Sequence, residues 1–223
     1  MDSKIGVCFS RAVTEGLRER KKRQTVRRIS EAAIELFVAR GFDEVTIAEV
    51  AAAADVAVNT VYNYFRTKED LVLPPGESST GRLAAIVAER APGESAAGAV
   101  LARLREEVRG RDRAVGLSPG FGRVLAMMLA TPSLATRLND LGGQMVDELA
   151  ALLADETGER GARPRLVASQ IGWFHALVFG EVGSRTVAGE PPDAIAAAVL
   201  ELLDAVEDLL GDTVLDYARK GES

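Results

Sequence analysis

The chain has little of what most catalytic and metal chemistries require. Among its 223 residues there is one cysteine, Cys8, and one histidine, His175. A lone cysteine excludes an internal disulfide and a cysteine-based zinc cluster, and a lone histidine excludes a multi-histidine metal site. A serine-based relay would have to use His175, yet no Gly-x-Ser-x-Gly elbow follows a strand-like run. The glycine-rich stretch 116–122 lacks Gly-Lys-Ser/Thr, so it is no phosphate-cradling P-loop. Neither an enzyme nor a cofactor is expected. Long apolar runs are also missing: the most apolar stretch, Ile171 to Gly180, is half the ~20 residues that cross a bilayer. The N-terminus lacks the apolar core of a signal peptide, so a cytoplasmic protein with no membrane partner is expected.

What is present is a helical, ordinary globular composition, 47% hydrophobic and 27% charged. The net charge of −6 argues against a polyanionic partner until it is divided along the chain. Residues 1–70 carry 12 Lys+Arg against 11 Asp+Glu, whereas residues 71–223 carry 15 against 22. Within Arg18 to Arg28, seven cations (Arg18, Arg20, Lys21, Lys22, Arg23, Arg27, Arg28) face the single Glu19. Such a run is often only a solvated helix face, but here it makes one end attractive to a polyanion and leaves the other repulsive.

Strand-like alternation is absent, and nearly every segment reads as helix, about nine or ten in all. Residues 1–16 read as a flexible arm. A first helix from about Leu17 to Arg40 carries an apolar stripe of Val26, Ile29, Ala33, Leu36 and Phe37, and Gly41 suits a left-handed stop. Thr46 and Glu49 have the spacing of a capping box and start a second helix that runs to Ala54. Asp55-Val56 makes a tight turn, a third helix reaches about Tyr64, and Thr67 opens a fourth with Glu69 and Asp70 in its first turn. Leu73-Pro74-Pro75-Gly76 is the clearest break, giving an N-terminal domain over 17–73 and a second over 74–223. In the second, Ser118-Pro119 and Thr131-Pro132 each set a capping hydroxyl before a proline at the first helical position.

The second and third helices, joined by a short turn, have the form of a helix-turn-helix whose second member lies in a DNA major groove. Ala51 to Ala54 keep the first helix small where the second crosses it. Val56, Val61, Tyr64 and Phe65 can face inward, leaving Val58, Asn59, Tyr62 and Asn63 outward. The turn needs a residue that tolerates a left-handed backbone, and Asp55 does.

Over about Arg23 to Leu71 the sequence resembles the TetR family of repressors. The residues that carry the likeness are EAAIELFVARGF followed by VTIAEVAAAADVAVNTVYNYFRTKEDL, above all Thr60 to Asp70. The resemblance implies an all-α chain with an N-terminal helix-turn-helix domain and a C-terminal helical domain for ligand binding and dimerisation. It implies that Thr46 bonds a phosphate, that Val58 and Asn59 lie where base edges are read, and that Ala57 before them belongs to the DNA-binding positions. Thr60, Tyr62, Asn63 and Lys68 would contact phosphates, with Arg27 and Arg28 adding backbone or minor-groove contacts. Three positions depart from the family pattern: Ala48 where arginine is frequent, Ala57 where a capping serine is common, and Asp55 where glycine is usual. They bear on operator sequence, not on fold.

The partners implied are double-stranded operator DNA, a second copy of the chain, and an unidentified small-molecule effector. For the homodimer surface, Ala168, Gly172, Ala176, Gly180 and Ser184 fall four apart as a ridge of small residues. Ile195, Val199, Leu202, Val206, Leu209 and Leu210 make an apolar stripe beside them. Packing within one subunit is the alternative for both. For the effector, Phe121, Met127, Met128, Trp173, Phe174, His175 and Phe179 are the bulky candidates, although residues so spaced more often form plain core. A helix-turn-helix activator, or an architectural DNA-binding protein without ligand control, is the competing reading.

Overall fold

The computed structural model describes residues 6–73, 80–117 and 120–221, and divides the chain into two compact units, 1–77 and 78–223. Ten α-helices and no strand occur among the described residues. The first unit holds α1 (Gly6–Arg40), α2 (Ile47–Ala53), α3 (Val58–Tyr64) and a 3-10 turn, Glu69–Leu71. The second holds α4 (Arg82–Glu89), α5 (Ala96–Gly110), α6 (Phe121–Ala130), α7 (Pro132–Thr157), α8 (Arg163–Val187), α9 (Pro192–Leu209) and α10 (Asp212–Leu215). No described helix is long and apolar enough to cross a membrane.

Helix α1 starts well before Leu17: the backbone is helical from Gly6, so the arm expected over 1–16 is helical wherever it is described, and residues 1–5 lie outside the described part. Its buried face is Ile29, Ala33 and Phe37, and Gly41 ends it at φ +96. The Phe37 and Phe42 rings meet at 4.9 Å, joining the helix to the loop that follows. The fourth helix expected at Thr67 is a 3-10 turn. Asp70, buried, accepts hydrogen bonds from the Arg66 and Thr67 amides (3.1 and 3.2 Å), while its own amide donates to the Thr67 hydroxyl (3.2 Å). That reciprocal bonding tightens the chain and seats Leu71, fully buried, in the core of the first unit.

In the second unit a continuous core gathers Leu83, Val87, Leu101, Leu104, Leu149, Leu153, Ile171, Phe174, Val199 and Leu203 from α4, α5, α7, α8 and α9. Pro132 starts α7 as the sequence suggests, but the Thr131 hydroxyl turns back to donate to Met127 O (2.9 Å) and does not cap. Ser118-Pro119 and the 74–79 break lie outside the described residues. Arg90, nearly fully buried, staples the C-terminal end to the bundle through Glu156 (2.6 Å) and Ala218 O (2.9 Å).

Candidate nucleic-acid interface

The geometry of the N-terminal unit is set by its caps. The Thr46 hydroxyl accepts from the Glu49 amide (3.2 Å), and the Glu49 carboxylate accepts from the Thr46 amide and hydroxyl (both 2.8 Å). Arg40, at the end of α1, adds a 2.7 Å ion pair to the same carboxylate. The Thr46 amide bond, followed by the Arg40 bond, holds the Glu49 carboxyl down to about 2. Helix α2 is thereby fixed to α1. One consequence was not legible in the sequence: the Thr46 hydroxyl proton is committed to Glu49, which leaves the threonine less free to donate to a phosphate.

Asp55 takes the turn at φ 51, and the Asp55 and Val56 amides bond back to Ala52 O and Ala51 O. Ala57 is the N-cap of α3 and supplies no side-chain bond, as an alanine must. Val61 and Phe65 bury one face of α3, with Tyr64 half-buried beside them. The opposite face presents Val58 at 39% exposure and Tyr62 at 59%, together with Ala57, Asn59 and Asn63; Thr60 is half-buried. An apolar side chain and a phenol that far out of a folded unit are available to a partner. Seven residues of helix are too short to persist alone, so the exposed face is held in place by the buried one.

Within this unit the cations are less evenly free than the sequence suggests. Lys68 Nζ sits 4.6 Å from the Phe42 ring centroid and 5.5 Å from that of Phe37, and reaches Asp43 O at 3.4 Å. Its stem is anchored beside α1, with donor capacity left over. On α1, Arg27 is exposed but ion-paired with Glu31 at 2.8 Å, whereas Arg28 is exposed on a side shared with Lys21 and Gln24.

In the second unit the placement of residues differs from expectation in three ways. First, Ala168 is fully buried and Gly172 is backed by α7, where a Cβ would come within 2.5 Å of Val146 Cγ2; only Ala176, Gly180 and Ser184 of the proposed ridge are exposed. The reason is helical phase. A step of four residues advances about 40° beyond a full turn, so a ridge spaced strictly by four winds from the core to the surface within a few steps. The face that stays outside along α8 is Leu166, Trp173, Ala176, Gly180, Ser184 and Val187, with Leu166 61% and Trp173 46% exposed.

Second, Ile195, Val199, Val206 and Leu210 are buried against their own subunit, and of the α9 stripe only Leu202, half-buried, and Leu209, 73% exposed, reach the surface. An apolar stripe states that a face is covered, not by which chain. The acidic side of α9 is itself partly engaged, Arg105 of α5 bonding Asp204 (2.8 Å) and Glu207 (2.5 Å).

Third, the bulky candidates separate. Phe174 and Met128 are buried, Phe174 in the main core; Phe121, Met127 and Phe179 are half-buried; Trp173 points outward with the α8 surface face. His175 lies on the opposite side of α8 from Trp173, its ring 4.8 Å from that of Phe179. It is 9% exposed, and burial followed by the nearby Arg82 cation lowers its pKa to about 4. Arg82, from α4, forms a 2.6 Å ion pair with the buried Glu107 of α5. Neither Arg82 nor Glu107 gave any sequence signal, because partners on separate helices share no local spacing.

The model of the bacterial regulatory proteins of the tetR family matches residues 29–73. Over nearly its whole length the chain is similar to the HTH-type transcriptional regulator TcmR of Streptomyces glaucescens, 28% identical over 217 residues and covering 92% of each chain. Among solved structures it is similar to NalD of Pseudomonas aeruginosa, the secondary repressor of the MexAB-OprM multidrug efflux pump, with a TM-score of 0.53, 20% identity, and 82% of this chain and 97% of that one covered. It is also similar to the regulator FadR of Bacillus subtilis in complex with stearoyl-CoA, with a TM-score of 0.50, 21% identity, and 79% and 96% covered.

Proposed function

We propose that the chain is a regulator of the TetR family, a reading supported by the family model's match to residues 29–73 and the likeness to TcmR, and that it is a homodimeric repressor released from operator DNA by a small molecule bound in its second unit. The observation that carries the reading is the exposed face of α3, Val58, Asn59, Tyr62 and Asn63, held outward by buried Val61 and Phe65. A short rigid helix with such a face fits a major groove, where Val58 and Asn59 meet base edges and Tyr62, Asn63 and Thr60 meet the flanking phosphates. Lys68 and Arg28 add charge at the rim, and Arg27 joins them if it exchanges Glu31 for a phosphate.

Two copies spaced by one helical turn of DNA multiply a weak single contact into a specific one. The surface offered for pairing is the α8 face with Trp173, Ala176 and Gly180, together with Leu202, half-buried, and Leu209, exposed, on α9. Exposed leucines and a tryptophan beside a flat, small-residue strip suit close helix packing between subunits. Control by a ligand is supported by likeness of fold to the regulator FadR, whose structure holds stearoyl-CoA.

Selection of genomic fragments bound by the purified chain, with and without candidate metabolites, tests the reading. Recovery of a two-fold-symmetric sequence that a metabolite displaces is the expected result. Recovery of no preferred sequence would overturn it, and a preferred sequence that no metabolite displaces would favour an architectural role.

A further inference from the structure

Buried polar groups in folded proteins almost always find partners, so an unpartnered one calls for an explanation. The second unit contains two such atoms in one cluster. His175 Nε2 and Arg82 Nε are both sealed from solvent, and neither makes a hydrogen bond. They come from different helices, α8 and α4, and both carry strong hydrogen-bonding capacity. The rest of the cluster is accounted for: an Arg82 terminal nitrogen bonds Glu107 at 2.6 Å, and the Phe179 ring covers the imidazole at 4.8 Å.

We propose that His175 Nε2 and Arg82 Nε together anchor a phenolic or enolic hydroxyl of the effector. The inference rests on reading the second unit as ligand-binding, and it names the ligand chemistry. The charges decide between candidates. Arg82 and Glu107 cancel each other and the imidazole is neutral at physiological pH, so the cluster has no net charge to offer. A carboxylate would accept from the Arg82 N–H but would bring a second anion beside Glu107. An ammonium can only donate, and it would meet the guanidinium. A hydroxyl fits both atoms: it accepts from the Arg82 N–H and donates to the imidazole, or accepts from it in the other tautomer. A phenolic or enolic hydroxyl donates more strongly than an alcohol, and the planar body that bears it would lie against the Phe179 ring beside the imidazole.

His175 is the only histidine in the chain, so its ring nitrogens give unambiguous signals in a 15N-labelled sample. The full-length protein is titrated with phenol, 2-naphthol and 2-anthrol, and in parallel with 2-methoxynaphthalene and 2-naphthoic acid. The expected result is that at least one hydroxylated probe shifts the His175 Nε2 resonance and raises the melting temperature. The methoxy and carboxylate analogues should bind at least tenfold more weakly. His175→Phe and Arg82→Lys should each weaken the hydroxylated probe by tenfold or more without loss of helical circular dichroism. If a variant fails to fold, the imidazole titration of the unmodified chain decides alone. An unmoved Nε2 resonance with all three hydroxylated probes overturns the proposal, as does equal binding of 2-methoxynaphthalene. DNA binding, measured on the same protein without probe, bears only on the regulator reading: its absence would sink that reading and leave the anchor to be judged by the imidazole signal.

Discussion

Tyr62 and Ala57 show how far single residues can be read. Tyr62 is more than half exposed and makes no ring contact among the described residues, so its phenol does little for the fold. Tyr62→Ala should therefore lower operator affinity about tenfold, or about 1.4 kcal/mol, while shifting the melting temperature little. Fluorescence anisotropy on a labelled operator and a thermal melt of the same sample measure the two effects. A variant that melts early and still binds would assign Tyr62 to packing. Ala57 opens α3 without a side-chain cap. Ala57→Ser supplies an oxygen for the Asn59 amide, the Thr60 amide already donating to Ala57 O, and should stabilise the first unit by about 0.5–1 kcal/mol. Chemical denaturation with circular dichroism detection reads this as a raised midpoint at unchanged slope.

At the scale of the element, α8 separates two kinds of glycine that look alike in the sequence. Gly172 lies where a side chain would strike Val146 on α7, whereas Gly180 faces open space on the exposed side. Gly172→Val should destabilise the subunit by roughly 1–3 kcal/mol through overpacking. Gly180→Glu should leave the subunit folded, because glutamate is also the better helix former, yet place two carboxylates where the copies are proposed to meet. Sedimentation velocity should then show a monomer for Gly180→Glu, and operator affinity should fall with it. A dimer that survives this change would move the pairing surface elsewhere. The elements also differ in what was legible beforehand. The capping box at Thr46, the left-handed Gly41 and Asp55, and the outward face of α3 are local features, set within a turn or two, and the sequence displays them. The side of α8 that is covered is not local, since it depends on where α7, α6 and α9 dock.

For the whole molecule, the buried polar cluster couples stability to pH. His175 titrates near 6.5 when unfolded and about 4 when folded, so below 6.5 the unfolded chain takes up a proton that the folded chain refuses. Stability should be flat above pH 7 and fall progressively as the pH drops from 6.5 toward 4, by up to on the order of 3 kcal/mol. Glu49, whose carboxyl is held near 2, enters only below about 4.5, where protonating it would release the Thr46 cap. Urea midpoints at pH 7.5, 6 and 5 define the His175 window, and His175→Phe should flatten it. A wild-type midpoint constant across that range would show the imidazole is protonated without cost.

By itself the sequence determined the helical class, the helix-turn-helix with its caps and turn, and the charge asymmetry that directs a polyanion to the N-terminal end. Each of these arises from neighbours a few residues apart, where spacing dictates geometry. Only the tertiary structure decided that Ala168, Ile195, Val199 and Val206 are interior, that Trp173 faces out while His175 faces in, and that Arg82 and Glu107 meet beside that histidine. Helical phase and the docking of distant helices settle those questions. A stripe or a small-residue ridge along one helix records that something packs there, but its partner is chosen by the rest of the chain.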